Sequence, residues 1–183
     1  MREVLIQGIG FVGVIFYIVS YQVKSNRGLY FCQILGSISF TVQFILLGGI
    51  IGSLGLLITI LRNFLLSRIE AWPWVKSKMV AAGIIVLSTA ATLCTWDGWL
   101  NLLPWLAVTG STIGYWTNNA RTIRLSNLIC SSPCWLLYDI AVGSIGGIVS
   151  ELITLCSILV SIYRYGWKAL GENQFSESQK RES

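Results

Sequence analysis

Histidine is absent from the sequence. That excludes a histidine-based catalytic triad, a mixed histidine–cysteine zinc site and histidine-ligated haem. Charge is scarce as well: 11% of the 183 residues are charged, against roughly 25% in a soluble globular chain. With 54% apolar residues and a mean hydropathy of +0.69, the chain cannot cover a water-facing surface with polar groups. The same numbers exclude disorder of the bulk. An integral membrane protein remains, of one domain or two small ones. There is no CxxC. The five cysteines, Cys32, Cys94, Cys130, Cys134 and Cys156, all lie in apolar runs and read as packing residues rather than a disulfide framework. No nucleophile–base pair, metal cluster or phosphate loop is legible, so neither an enzyme nor a cofactor is expected.

What is present is a series of apolar stretches near the roughly 20 residues that a membrane helix needs. The first runs from about Val4 to Tyr21. Arg2 ahead of it also fits a signal peptide, but no small-x-small cleavage site follows and Phe16, Tyr17 and Tyr21 crowd its end. Leu29 to Ser67 is continuous over 39 residues, about 58 Å as one helix. It must break, and Gly48, Gly49, Gly52 and Gly55 supply the turn. The second and third spans are therefore Tyr30–Leu47 and Ile51–Ser67, an antiparallel hairpin. A polar link, Arg68–Lys78, carries Trp72 and Trp74 at headgroup level. The fourth span is Met79–Thr95, rich in small residues that let helices approach closely. The fifth is Leu102–Thr117, the sixth Arg124–Val142 and the seventh Ile145–Tyr165. This divides the chain into 1–67, 68–101, 102–165 and a polar tail, 166–183.

The net charge of +5 does not suggest nucleic acid, because no basic stretch is long enough to form a docking face. The charges mark topology instead. With the N-terminus outside, the inside segments hold Lys24, Arg27, Arg68, Lys76, Lys78, Arg121, Arg124, Arg164, Lys168, Lys180 and Arg181, which is 11 of the 13 basic residues. Arg2 is outside and Arg62 lies within a span. This is the positive-inside pattern, and it places the C-terminus in the cytoplasm.

A shift of 95 residues lays the first three spans on the last three. It pairs Ile18 with Ile113, Ser37 with Ser132, Gly48 with Gly143, Ile50 with Ile145, Gly52 with Gly147, Ile58 with Ile153 and Thr59 with Thr154. The turn sequences GGIIG and GSIGG coincide. Because one span intervenes, both triplets face the same way, with a pseudo-twofold axis along the membrane normal. The segments LRN (Leu61–Asn63), LLPWLAVTGST (Leu102–Thr112) and GSIGGIVSE (Gly143–Glu151) carry a resemblance to the YgjV family of bacterial inner membrane proteins, over nearly the whole chain. The plan of three plus one plus three spans resembles the SWEET and PQ-loop transporter superfamily. That resemblance implies a multi-pass protein of the bacterial cell membrane that moves a small solute or protons, or acts as a sorting receptor. The chain departs from the superfamily in lacking the Pro-Gln dipeptide; Pro104 and Pro133 lie in the second half, and the first three spans have no proline.

Charged residues inside a membrane are functional candidates by default. Asp139 and Glu151 each lie six residues from the centre of the last hairpin, about 9 Å below the outer surface. At one depth in a low dielectric they repel, and one is expected to hold a proton, as a proton-coupled carrier requires. The plainer reading has Asp139 reaching outside water and Glu151 bonding a neighbouring helix. Arg62 either snorkels to the inner headgroups, meets an anionic group in a central cavity, or pairs with Glu151 through water, with Asn63 beside it. Thr59 and Thr154 are repeat mates near mid-depth. Gln43 is a polar group in the second span, and Trp135 offers a ring to stack on a solute. The favoured function is small-solute transport by alternating access between the triplets, with the lipid bilayer, a small solute and protons as partners. The alternative is a receptor or scaffold of the same fold. Reporters fused after Lys24, Lys76, Arg121 and Arg181 should read cytoplasmic, and fusions near Gly49, Asp97 and Ser144 should read outside. A cytoplasmic signal at Asp97 would contradict the scheme, since the fourth span would then fail to invert the chain.

Overall fold

The computed structural model describes residues 2–22, 26–117 and 120–169; Lys24, Lys180 and Arg181 lie outside them. Among the described residues there are seven helices and no strand. They are α1 (Arg2–Gln22), α2 (Asn26–Leu47), α3 (Ile50–Ser67), α4 (Lys78–Cys94), α5 (Leu102–Trp116), α6 and α7 (Ile145–Ala169). Helix α6 is one rod built from Ala120–Ser126, a π-helical stretch Asn127–Ser131, and Ser132–Val142. Short 3-10 turns cover Pro73–Lys76 and Trp99–Asn101. The expected starts and ends fall within four residues of these bounds. The seventh helix overruns its expected end, so residues 166–169, read as tail, are helical.

Four helical stretches are long and apolar enough to cross a membrane: Arg2–Ser20, Tyr30–Leu47, Ile50–Ser67 and Arg121–Val142. Lys78–Cys94 and Ile145–Val160 are apolar but shorter. Helix α5, with 15 residues, is about 22 Å long, less than a bilayer core of roughly 30 Å. The expectation of seven spans is thus met in the number of helices, and four of the helical stretches have the length and hydropathy of a full crossing.

Polarity runs from inside to outside in the reverse of a soluble protein. Among the described residues, more polar or charged side chains than apolar ones are buried. The exterior carries Val4, Leu5, Ile15, Phe31, Met79, Val86, Leu93, Ile129 and Leu137. In water such a surface would be untenable. In lipid, which is itself apolar, packing and interhelical hydrogen bonds hold helices together. Tyr17 and Ser37 share a hydroxyl bond of 2.8 Å between α1 and α2. The Trp105 indole donates to Thr89 Oγ1 at 2.9 Å between α5 and α4.

The π-helical stretch in α6 has a local cause. Pro133 has no N–H and its ring crowds the preceding turn. The backbone widens just before it, and the Ser132 N–H bonds Asn127 O, five residues back.

Helix α1 packs on α2 and α2 on α3; α5 packs on α6 and α6 on α7. Helix α1 also meets α7, and α3 meets α5, while α4 lies against α5 and α3. The two tight turns have the same geometry. Gly48 (φ 83°) and Gly143 (φ 73°) are both left-handed. Gly49 N donates to Phe44 O at 2.8 Å and Gly48 N to Ile45 O at 3.2 Å. Ser144 N donates to Asp139 O at 2.9 Å and Gly143 N to Ile140 O at 3.4 Å. Every residue in the second set stands 95 after its counterpart.

No atom lies within 4 Å of a methyl added at Gly48 or Gly143, so only the backbone conformation resists substitution. Gly48→Ala and Gly143→Ala should each destabilise the detergent-solubilised protein by about 1 kcal/mol in thermal melts. Gly83→Ala, equally unobstructed but inside α4, should lose no stability. Equal melting of all three variants would contradict this account of the turns.

Candidate functional site

At the end of the bundle where the two tight turns lie, polar side chains bind the helices to one another. Gln43 on α2 accepts a bond from Ser144 Oγ at 3.0 Å through its Oε1. Its Nε2 donates to Gln7 Oε1 on α1, also at 3.0 Å. Gln7 Nε2 donates to Gly143 O at 2.8 Å, and Ile145 N donates to Gln7 Oε1 at 3.1 Å. In the other direction, Tyr138 on α6 accepts a bond from Gly52 N at 3.0 Å. Gly49 and Gly52 leave room for the Tyr138 ring, and Gly10 leaves room for Gln43. Gln43 and Tyr138 are themselves 95 residues apart, and each grips the turn region of the other half. The clasp is reciprocal.

Below it lies a cavity of about 90 Å³, room for roughly half a dozen waters. Its wall includes Thr59, Arg62 and Asn63 of α3, Ser111 and Tyr115 of α5, Asn127, Ser131, Ser132, Trp135 and Asp139 of α6, and Ser150, Glu151 and Thr154 of α7. The π-helical stretch opens onto this space, because Asn127 and Ser131 are its ends.

Arg62 is 4% exposed, so it does not snorkel to the headgroups. Its Nη1 donates to Ser111 Oγ at 2.5 Å and its Nε to Asn63 Oδ1 at 3.4 Å. The guanidinium carbon lies 4.6 Å from the centre of the Tyr115 ring, a cation–π contact. Asn63 Nδ2 donates in turn to Gln33 Oε1 at 3.4 Å. No ion pair involving Arg62 is found among the described residues.

Asp139 is 2% exposed. This corrects the reading that it reaches outside water: the carboxyl lies directly over Gly147, where any side chain would collide with it. Its Oδ1 is buried without a hydrogen-bond partner. Glu151 is half-buried on the cavity wall. The cavity thus brings together Glu151, Asp139, Arg62, Asn63, Thr59, Thr154 and Trp135. Gln43 is not on its wall; it belongs to the clasp. Trp135 stacks on Phe44 at 6.0 Å and meets Tyr138 edge-on, so much of its ring is engaged by protein. The Trp116 indole donates to Val75 O at 3.1 Å, away from this cavity. Ser157, one turn along α7 from Thr154, is exposed.

Sequence reasoning missed Ser111, Tyr115, Gln7 and Tyr17. Ser111 and Tyr115 are four apart, one helical turn, and the polar run Thr109–Thr112 in an apolar helix was the signal for the first. Gln7 was the lone amide in the first span.

A second cavity, of about 320 Å³, lies at the opposite end, beside the α3–α4 connection. Its wall includes Tyr30, Arg68, Glu70, Lys76, Tyr115 and Trp116. Tyr115 borders both cavities. Its ring, held against Arg62, is part of the partition between them.

Lipid-facing apolar helices around a buried polar cavity define a polytopic helical membrane protein. Residues 4–168 match Imp-YgjV, described as bacterial inner membrane protein, and the chain belongs to that family. No curated protein and no solved structure matches the chain.

Proposed function

We propose that the protein moves a small solute across the bacterial inner membrane by alternating access between two three-helix bundles, α1–α3 and α5–α7, with α4 as linker. This is the SWEET-like plan, with the N-terminus outside and the C-terminus in the cytoplasm. The observation that carries the reading is the central cavity. Both bundles contribute polar and charged walls to it, at a depth where such groups are expensive unless used.

Three further features support it. The contacts α1–α7 and α3–α5 are exchanged by the rotation that swaps the bundles. The two turns, with identical hydrogen-bond patterns 95 residues apart, are exchanged by the same rotation. The cavity is clasped at the turn end and borders a larger vestibule at the other, across Tyr115. On the topology read from the basic residues, this is a state closed to the outside. Opening outward requires the Gln43–Ser144 and Tyr138–Gly52 contacts to part. A receptor or scaffold needs no charged central cavity, so the cavity favours transport.

Protons are the natural coupling ion. The titratable groups on the cavity wall are Tyr17 from α1, Arg62 from α3, Tyr115 from α5, Asp139 from α6 and Glu151 from α7; the α2 residues there, including Gln33, do not titrate. Glu151, half-buried on the cavity wall, is placed to exchange protons with water there, while Asp139 is 2% exposed and packed against Gly147. In proteoliposomes, Glu151→Gln should abolish acceleration of uptake by a pH gradient while leaving exchange in the absence of a gradient, because shape and hydrogen bonding are nearly kept. Asp139→Asn should have the smaller effect. Undiminished pH coupling in Glu151→Gln would remove this role.

A further inference from the structure

We infer that Arg62 is the anchor for a carboxylate group on the solute, so that the central cavity takes a small organic acid in preference to a neutral or cationic molecule. Transport by this cavity is the reading above; the anchor deepens that reading by assigning the ligand's chemistry.

The first ground is charge. A guanidinium is always protonated, and a buried charge is costly unless an opposite charge compensates it. Arg62 is buried and no ion pair to it is found among the described residues. Two carboxyl groups do line the same cavity, but at a different depth. Arg62 is twelve residues along α3 from Ile50, about 18 Å below the turn end. Asp139 and Glu151 are four and six residues from their turn, about 6 and 9 Å below it. The buried cation and the buried acids thus sit at different depths of one cavity.

The second ground is hydrogen bonding. A guanidinium has five N–H donors in a planar fork. Among the described residues, one is accepted by Ser111 Oγ and one by Asn63 Oδ1. Tyr115 covers a face of the group, which fixes its plane without using a donor. The remaining donors have no protein acceptor among the described residues, and a carboxylate is the partner whose geometry fits such a fork. Elsewhere in the cavity, Asp139 Oδ1 lacks a donor. It lies about 12 Å nearer the turn end, out of reach of a short acid held at Arg62. The volume of about 90 Å³ restricts the ligand to a short chain.

A plain hydroxy acid and a zwitterionic amino acid share this carboxylate head, and the test separates them. Full-length protein in nanodiscs is titrated calorimetrically with lactate, alanine, glucose and choline. Binding of lactate or alanine, with glucose and choline silent, is the expected result; which of the two binds identifies the source of the carboxylate. Arg62→Lys keeps the charge but loses the fork, and should weaken that binding by roughly tenfold or more. Arg62→Gln should abolish it. If Arg62→Gln does not fold, as judged by helical circular dichroism, the comparison of Arg62→Lys with wild type carries the test. Preferential binding of glucose or choline would overturn the assignment. So would carboxylate binding unchanged in Arg62→Lys, or silence of both acids at roughly 10 mM, above the range of even weak specific sites. Carboxylate binding without flux in proteoliposomes would refute transport and leave the anchor standing. Glucose flux insensitive to Arg62→Lys would do the reverse.

Discussion

A guanidinium enclosed in an apolar bundle without a carboxylate beside it is the constraint around which the centre of this molecule is arranged. Removing a charge from water is costly, and the surroundings must compensate. Here neutral groups do part of this: Ser111 and Asn63 accept two of its N–H bonds, and the Tyr115 ring covers a face. Two of these are themselves held by a further hydrogen bond. Ser111 Oγ donates to Ala107 O at 2.7 Å, and Asn63 bonds Gln33. The charge thereby ties α3 to α5 and, through Asn63, to α2. A polar interior of this kind needs helices whose outer faces are apolar, and the exposed residues supply them.

The second organising feature is the pairing of the two turns. Gly48 and Gly143 adopt the same left-handed conformation, and matching backbone bonds close the helix ends before them. Gln43 and Tyr138 occupy corresponding positions but are chemically different, one an amide and the other a phenol. Each reaches across to the other half. A clasp made of a few neutral hydrogen bonds, each worth on the order of 1 kcal/mol net, is weak enough to open and close. On the proposed reading that is its use: it shuts the outer end while Tyr115 divides the cavity from the vestibule at the inner end.

Much of the fold was legible in the sequence, because membrane helices announce themselves by length, glycine breaks and the placement of Lys and Arg. The break near Gly48 and the seven helices follow from those signals alone. The π-helical stretch was not legible, though Pro133 marked its position. Site legibility was uneven for a physical reason. Charges in apolar runs are conspicuous, so Arg62, Asp139 and Glu151 stood out, and all three line one cavity. Burial was left open at Arg62 and misread at Asp139. Distance from the helix end allowed Arg62 either to snorkel or to face a cavity and set Asp139 in water; packing of Ser111 and Tyr115 on the one selects the cavity, and packing of Gly147 on the other removes it from water. Gln43 was correctly noticed as polar, but sequence cannot tell a clasp from a cavity wall. Ser111 and Tyr115 escaped because serine and tyrosine are common in membrane helices.

The central claim is that this cavity opens to each side of the membrane in turn. It is tested most directly by giving Thr154 a cysteine in a background in which the five native cysteines are replaced, and labelling it with a membrane-impermeant thiol reagent in vesicles of each orientation. The account predicts labelling from both sides, with access from outside increased by Gln43→Leu, which weakens the clasp. A cysteine reached from one side only, with or without the intact clasp, would contradict it.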